Sequence, residues 1–162
     1  TDGGSLALSA VRALKQRGWT IATAESLTGG LIASSMVEVP GASQVVKGGF
    51  VTYQSVSKTM LLGVPAEMIE QYDVVSAEVA RAMAKGARER LGVDIAVSAT
   101  GLAGPDGGTP ERPVGTVFLG IATAKGVYDI PLHLTGNRAR IRTLTMKNAL
   151  NAVRLEAEDK DK

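Results

Sequence analysis

The sequence predicts an α/β protein, a three-layer α/β/α sandwich in which helices cover both faces of a mixed β-sheet. Three observations support this fold class. In the first half of the chain, apolar stretches with helical spacing alternate with short β-prone stretches. Later, two β-prone stretches meet at Lys125-Gly126, a pattern typical of an antiparallel hairpin. Finally, a chain of 162 residues with 44% hydrophobic residues can bury a real core in one domain.

Each element has a local signal in the sequence. In chain order the predicted elements are helix 6–17, strand 19–23, helix 30–37, strand 45–53, helices 55–62, 65–71 and 77–91, strand 94–98, strands 114–124 and 127–134, and helix 138–155. Gly18 and Gly63 end helices, and Pro65 begins one. Ser76 and Asn137 are predicted N-caps. In strand 45–53 a Gly-Gly pair indicates a bulge or a close approach by another group.

We expect residues 1–162 to form a single domain. Its core spans about 6–155, and 156–162 form a solvated, frayed tail of acidic and basic residues. No repeat or interior linker interrupts the chain. Residues 101–113 form the one long irregular segment, and loops of that length in a compact domain are more often functional than idle.

The composition excludes several classes of function. The chain has no cysteine, which excludes disulfides, thiolate metal sites and a cysteine nucleophile. It has a single histidine, so a metal site is not indicated. The net charge of +2, with dispersed basic residues, does not indicate nucleic-acid binding. No apolar run approaches the roughly 20 residues of a membrane span, and no signal peptide is recognisable. We therefore expect a cytoplasmic protein without membrane or nucleic-acid partners.

The most informative segment is residues 23–30, Thr-Ala-Glu-Ser-Leu-Thr-Gly-Gly. It puts Ser26 at the carboxyl end of a predicted strand, before a Gly29-Gly30 turn into a helix. Open α/β sheets bind ligands at this edge, and the first N–H groups of the helix could hold a phosphate or an oxyanion. Ser26 is therefore either a nucleophile or ligand hydroxyl, or only a helix N-cap, a role that Thr28 could also take.

A serine nucleophile needs a base. The only histidine, His133, is predicted in the middle of a strand, so a Ser-His-Asp triad is not indicated. Lys58 is the best-placed alternative if burial or a nearby cation lowers its pKa, and Tyr53, at the end of its strand, could orient or pass a proton. The competing interpretation of Lys58 is an exposed helical lysine. Ser55 is a rival nucleophile, because residues 55–58 match the Ser-x-x-Lys pattern of β-lactamases, a match that we interpret as coincidence.

Two other segments can reach the same edge of the sheet. Residues 98–108 leave a strand and are rich in glycine, so their backbone can approach a ligand closely. Thr100, at the base of this segment, could face the same crevice. Arg138, Arg140 and Arg142 open the last helix, where cations oppose the helix dipole. A bound anion would resolve that conflict, and arginines that are solvated or paired with acids are an equal alternative.

These four segments, in this order, strongly resemble the C-terminal domain family of the competence/damage-inducible protein CinA, which includes stand-alone nicotinamide-nucleotide amidases. The likeness covers about residues 6–155. The motifs that carry it are residues 23–30, 49–53 with Lys58, 62–64, 74–76, 100–108, 113–117 and 136–138. The run Gly-Leu-Ala-Gly-Pro-Asp-Gly-Gly at 101–108 is too unusual to be expected by chance.

The resemblance implies the family's three-layer fold and hydrolysis of nicotinamide mononucleotide to nicotinic acid mononucleotide and ammonia, in pyridine-nucleotide recycling. By motif, Ser26 corresponds to the nucleophile, Lys58 to its base and Tyr53 to the partner of that base. The substrate-binding residues implied in the same way are Thr28, Gly29, Gly30, Thr100, Gly101 and Arg138, with Arg138 at the phosphate. No metal or organic cofactor is expected, and we expect a homo-oligomer.

Three positions depart from the family's pattern. Leu27 stands where the family often has Cys, which leaves the helix entry intact, and Asn137 stands where the family often has Asp and remains a good N-cap. Where the family often reads Tyr-x-Asn-x-x-Lys, this chain has Ser55 between Tyr53 and Lys58. The lost amide motivates an alternative hypothesis, a catalytically weak or inactive module of the CinA type that binds nucleotides or other proteins. A third possibility is an amidohydrolase that acts on another amide.

Overall fold

The structure is a computed structural model that describes the backbone of residues 3–159 and the side chains of residues 6–159. The elements are α1 (Gly3–Arg17), β1 (Ile21–Glu25), α2 (Leu31–Val37), a 3-10 turn (Ala42–Gln44), β2 (Val46–Val51), α3 (Ser55–Leu62), α4 (Ala66–Tyr72), α5 (Ala77–Leu91), β3 (Ile95–Gly101), β4 (Thr116–Thr123), β5 (Gly126–His133) and α6 (Arg138–Glu158). The predicted order of helices and strands is confirmed.

The five strands form one sheet in the order β2-β1-β3-β4-β5. β1 is parallel to both β2 and β3, whereas β4 is antiparallel to β3 and to β5. The mixed sheet and the hairpin are therefore confirmed. Because β1, β2 and β3 run in the same direction, their carboxyl ends lie along one edge of the sheet.

Helices cover both faces of the sheet. α1, α2 and α6 pack on one face, and α3, α4 and α5 lie on the other. The first face carries large side chains such as Ile21, Val97 and Leu119. The second is lined mainly by small ones such as Ala22 and Ala96, which let α5 lie close to the sheet. The three-layer α/β/α architecture is thus confirmed.

The first strand begins later than predicted. β1 covers Ile21–Glu25 rather than 19–23. The Trp19 N–H donates to the Leu14 carbonyl at 2.9 Å, and the Arg17 guanidinium lies 4.2 Å from the centre of the Trp19 ring. Trp19 therefore completes the end of α1 instead of starting the strand.

The Gly-Gly pair in β2 has both predicted roles. Ile21 pairs with Val46, but Ala22 pairs with Gly48, so β2 carries an extra residue at a bulge. A Cβ at Gly49 would overlap the Thr23 hydroxyl on β1. Glycine is needed there because the neighbouring strand approaches closely.

Both predicted side-chain caps are confirmed. The Ser76 hydroxyl accepts a hydrogen bond from the Val79 N–H at 3.2 Å and caps α5. The Asn137 side-chain oxygen accepts from the Arg140 N–H at 2.9 Å and caps α6. The α6 cap fixes the start of the helix that carries the arginines.

The prediction of a frayed tail at 156–162 is wrong for residues 156–158. α6 continues to Glu158, with Glu156 and Ala157 buried. The Arg17 guanidinium donates to the carbonyl oxygens of Ala157 and Asp159, which ties the end of α6 to α1. Residues 160–162 lie outside the described part of the chain.

Candidate active site

A cavity of about 330 Å³ lies at the edge of the sheet where β1 and β3 end. The predicted site residues in its walls are Ser26, Tyr53, Lys58, Thr100, Gly101 and Arg138. They come from distant parts of the chain and meet because parallel strands end at the same edge. The cavity is therefore at the position that the sequence predicted.

Ser26 and Lys58 are in direct contact. The Lys58 Nζ lies 2.9 Å from the Ser26 Oγ. α3 carries Lys58 under the cavity, where its side chain is only 1% exposed, while Ser26 is 8% exposed. The competing interpretation of Lys58 as an exposed helical lysine is thus wrong. Ser55 also lines the cavity, but Lys58 donates to Ser26 and not to Ser55.

Lys58 is surrounded by oxygen atoms that carry no full charge. Its Nζ donates to the Thr52 carbonyl at 2.6 Å, and the Tyr53 carbonyl lies at 3.5 Å. Lys58 forms no ion pair with any carboxylate in residues 6–159. Burial therefore lowers the pKa of Lys58 from 10.5 to about 8. When Lys58 is neutral, its two N–H groups can donate to the Thr52 and Tyr53 carbonyls, and its lone pair can accept a hydrogen bond from the Ser26 hydroxyl.

A tight turn holds Ser26 at the end of β1. The Ser26 N–H donates to the Ala99 carbonyl at 3.0 Å, and the Gly29 N–H donates to the Ser26 carbonyl at 3.1 Å. Gly29 and Gly30 both have positive φ, at 59° and 103°, which glycine adopts without strain. The turn leads directly into α2.

The first turn of α2 is closed to a ligand. The Glu25 carboxylate, which is buried, accepts hydrogen bonds from the N–H groups of Ile32 at 2.9 Å and Ala33 at 3.0 Å. The N–H groups of Leu31 and Ser34 donate to backbone carbonyls. The expectation that this helix terminus binds a phosphate or an oxyanion is therefore wrong, because a residue of the chain itself already occupies it.

The predicted binding residues of the turn do not reach the cavity. Thr28 is fully buried and Gly29 and Gly30 form the turn behind Ser26, but none of the three is part of the cavity wall. The Gly29 N–H is also closed to a ligand, because it donates to the Ser26 carbonyl. The Leu27 N–H donates to no group in residues 3–159, and Leu27 does line the cavity.

Tyr53 and Arg138 form a pair at the cavity rim. The Tyr53 side chain is 61% exposed, and its hydroxyl accepts a hydrogen bond from the Arg138 guanidinium at 3.0 Å. Arg138 also donates to the Gly104 carbonyl at 2.7 Å. Within the described residues, the contact of Tyr53 with Lys58 involves its backbone carbonyl and not its hydroxyl.

Thr100 and Gly101 form the floor of the cavity at the end of β3. The Thr100 hydroxyl donates to the Val74 carbonyl at 2.8 Å and so holds another part of the cavity wall in place. A Cβ at Gly101 would lie 2.6 Å from the Val117 Cγ2 atom. Glycine is needed there because β4 lies against it. His133 is exposed on the edge strand β5 and does not line the cavity.

Two residues near the site escaped sequence reasoning about function. Glu25 caps α2, and Arg142 reaches from α6 to the Leu27 and Thr28 carbonyls at 2.9 and 3.0 Å. The three arginines at the start of α6 were a signal, and the two interpretations were a bound anion, or arginines that are solvated or paired with acids. Arg140 is exposed, as the second interpretation expects. Arg138 and Arg142 instead bind backbone carbonyls.

Two further classes of site are absent from the described residues. No group of three or more His, Cys, Asp and Glu side chains there could hold a metal ion. No helix in that part of the chain is both long enough and apolar enough to cross a membrane.

The fold and site define a three-layer α/β/α domain with a buried serine-lysine pair at its strand ends. The family model of the CinA C-terminal domain matches residues 4–157, and the chain belongs to this family. It is 44% identical over 153 residues to a CinA-like protein of Geobacter metallireducens, and 47% identical over 141 residues to a CinA-like protein of Dictyoglomus thermophilum. These matches cover 94% and 87% of this chain but only 37% and 34% of the relatives, so the chain spans about a third of their length.

Solved structures show the same fold. The competence/damage inducible protein CihA from Agrobacterium tumefaciens is 37% identical, with a TM-score of 0.93 and coverage of 98% of this chain and 97% of that one. A CinA superfamily protein from Escherichia coli is 31% identical, with a TM-score of 0.90 and coverage of 96% and 89%. The similarity therefore extends over nearly the whole domain.

Proposed function

We propose that this domain is an amidohydrolase, a nicotinamide-nucleotide amidase that converts nicotinamide mononucleotide to nicotinic acid mononucleotide and ammonia. The observation that carries the proposal is the 2.9 Å contact between the Ser26 Oγ and the buried Lys58 Nζ, whose pKa is lowered to about 8. Membership of the CinA C-terminal domain family supports the substrate assignment. A serine nucleophile beside a neutral lysine is a known route to amide hydrolysis.

The chemistry begins with acylation of Ser26. Neutral Lys58 takes the hydroxyl proton as the Oγ attacks the carboxamide carbon, and the C–O bond forms while the carbonyl oxygen becomes an oxyanion. The Leu27 N–H is the donor that we assign to that oxyanion, since Leu27 lines the cavity and its N–H donates to no group in residues 3–159. When the C–N bond breaks, the protonated Lys58 returns the proton to the leaving ammonia.

Water then completes the cycle. It attacks the acyl-enzyme carbonyl and gives a proton to Lys58, which passes it to the Ser26 Oγ as the ester bond breaks. The products are the free carboxylic acid and the regenerated enzyme. No step requires a group other than Ser26, Lys58, the oxyanion donor and water.

The cavity rim supplies groups for the nucleotide part of the substrate. Arg138 lies there with its guanidinium on the Gly104 carbonyl and the Tyr53 hydroxyl, so it can bind a phosphate by exchanging one of these neutral partners for an anion. The apolar side chains that line the cavity, among them Leu27, Val75 and Leu102, offer a surface for the flat pyridinium ring of the substrate. Binding energy from the phosphate would then position the amide for attack.

The decisive experiment measures ammonia release from nicotinamide mononucleotide by the wild-type domain, Ser26→Ala and Ser55→Ala. We expect Ser26→Ala to lose at least about 1000-fold in turnover, and Ser55→Ala to remain active because Lys58 contacts Ser26 instead. Full turnover by Ser26→Ala would overturn the nucleophile assignment, and loss in Ser55→Ala alone would transfer it to Ser55.

Two added measurements, calorimetry and a test with a simple amide, address the alternative functions. Calorimetry on the wild-type domain shows whether the mononucleotide binds. Binding without ammonia release would reject the amidase and favour a nucleotide-binding module of the CinA type. Release from a simple amide without phosphate, but not from the mononucleotide, would favour an amidohydrolase of different specificity.

A further inference from the structure

Arg142 contacts the turn that carries the nucleophile, although it lies more than 100 residues away in the sequence. From the first turns of α6, its Nε donates to the Leu27 carbonyl at 2.9 Å and its Nη2 donates to the Thr28 carbonyl at 3.0 Å. The side chain is half-buried and forms no ion pair with a carboxylate in residues 6–159. A planar guanidinium can bind two successive carbonyls in fixed directions, whereas an ammonium cannot.

The turn is also fixed from its inner side. The Gly29 N–H donates to the Ser26 carbonyl, so that carbonyl points into the turn. In a trans peptide the C=O and the following N–H point in opposite directions. The Leu27 N–H therefore points out of the turn, and Leu27 lies in the cavity wall. The orientation of this N–H depends on the turn keeping its shape.

Without Arg142 the turn would lose its outer support. Gly29 and Gly30 give this segment unusual backbone freedom. The buried residue Leu27 would lose the donor to its carbonyl, and the Thr28 carbonyl would keep only the Leu31 N–H at 3.0 Å. The peptide units on both sides of Leu27 could then rotate, which would move the Ser26 hydroxyl and the Leu27 N–H together.

We propose that Arg142 is a positioning residue for hydrolysis at Ser26: its guanidinium holds the Leu27 and Thr28 carbonyls and so fixes the nucleophile and the Leu27 N–H as oxyanion donor. The inference rests on the proposed function. It separates Arg142 from Arg138, which shares its helix face but contacts the cavity rim. Arg142 itself does not line the cavity, so it acts through the turn and not on the substrate.

This role predicts a specific kinetic signature. Arg142→Ala should lower kcat by about 100-fold, the loss that a misplacement of about 1 Å can cause, and should leave KM within about threefold. Arg142→Lys should recover only part of the loss, because an ammonium lacks the planar fork. Millimolar guanidinium chloride should restore activity to Arg142→Ala, and sodium chloride at the same concentration should not.

Arg140→Ala is the matched control. Arg140 lies on the same turn of α6, is exposed and carries the same charge. Its removal changes the net charge equally but leaves the turn after Ser26 untouched. We expect its kcat and KM to match those of the wild-type domain.

The closing experiment uses a reagent that does not depend on the amide substrate. A fluorophosphonate probe phosphonylates an activated serine, with loss of fluoride, and its adduct places an oxygen in the oxyanion site. We expect rapid labelling of Ser26 in the wild-type domain and in Arg140→Ala, about 100-fold slower labelling in Arg142→Ala that guanidinium restores, and none in Ser26→Ala.

The outcomes distinguish the two proposals. Labelling of the wild-type domain without ammonia release from the mononucleotide would reject the amidase, while the labelling rates would still test Arg142. Equal labelling rates in the wild-type domain and Arg142→Ala would overturn the role of Arg142. So would a raised KM with unchanged kcat, since that pattern would mean that Arg142 binds substrate. A wild-type Ser26 that resists the probe would overturn both proposals.

Discussion

At the scale of the residue, the site depends on the buried lysine. Lys58 is surrounded by two carbonyls and one hydroxyl, and its pKa is about 8 because burial disfavours the charged form. A carboxylate in contact would keep the amine protonated and prevent its action as a base. Lys58 can therefore act as a proton acceptor, because its pKa of about 8 lies near physiological pH.

The pKa of Lys58 predicts the pH dependence of catalysis. Since only the neutral amine accepts the Ser26 proton, kcat/KM for ammonia release should rise about tenfold per pH unit below about 8 and level off above it. A pH series on the wild-type domain checks this expectation. Lys58→Arg, which keeps the charge but cannot act as a base, should be inactive throughout. A flat wild-type profile between pH 6 and 9 would contradict the role of Lys58.

The same lysine makes stability depend on pH. The pKa of Lys58 is about 8 in the folded state and 10.5 in its ordinary environment, so between these values the unfolded state binds more protons and the free energy of unfolding rises with pH. From pH 7 to 10.5 the wild-type domain should gain about 3 kcal/mol relative to Lys58→Met, which lacks the titrating group. Urea unfolding of both proteins at the two pH values measures this difference, and parallel pH profiles would disprove it.

At the scale of the element, the β1–α2 junction satisfies its own polar groups. Glu25 is the last residue of a fully buried strand, where an isolated carboxylate would be costly. The carboxylate accepts hydrogen bonds from two N–H groups of α2. These bonds compensate for its burial and leave the helix terminus closed to a ligand. The junction therefore holds Ser26 between a capped helix on one side and Arg142 on the other.

Removal of the Glu25 carboxylate should destabilise the domain. Glu25→Ala leaves two N–H groups without an acceptor, so we expect the free energy of unfolding to fall by about 1–3 kcal/mol. Glu25→Gln keeps one acceptor oxygen and should lose less. Glu38→Ala is the control, because Glu38 is exposed at the other end of the same helix, and it should change stability by less than about 0.5 kcal/mol. Equal urea midpoints for Glu25→Ala and the wild-type domain would refute the capping role.

At the scale of the whole molecule, the site forms where the three layers meet. Ser26 ends a strand of the sheet, Lys58 comes from the α3 side, and Arg138 and Arg142 come from α6 on the opposite face. Their relative positions therefore depend on the distances between layers. Small side chains on the α5 side set one of these distances, most closely at Gly120, which lies against the Ala80 carbonyl of α5.

A side chain at Gly120 should disturb that spacing. The Cβ of Gly120→Ala would overlap the Ala80 carbonyl oxygen and would lie 2.5 Å from the Ser98 Oγ, which itself donates to the Ala80 carbonyl at 2.6 Å. We expect the free energy of unfolding to fall by about 2 kcal/mol or more as α5 moves away from the sheet. Gly126→Ala, with no atom within 4 Å of the new Cβ, should show only the backbone strain of about 1 kcal/mol. Comparable losses in both variants would argue against close packing as the cause.

Much of this molecule was readable from local sequence. Ser76 and Asn137 cap their helices as predicted, because a cap needs only a hydroxyl or amide oxygen and a backbone N–H three residues later. The Gly48-Gly49 pair indicated the bulge. Ser26 and Lys58 were placed near each other because each lies next to a strand that ends at the same edge.

The sequence by itself determined the order of elements, the three-layer fold class and the family, since periodicity, turn residues and unusual motifs are local properties of the chain. The tertiary structure decided where the polar groups are directed. It turned the Tyr53 hydroxyl to Arg138, buried Lys58, and gave Arg142 a pair of carbonyls 114 and 115 residues away. Such contacts depend on how the helices pack across the sheet, and no short sequence pattern encodes them.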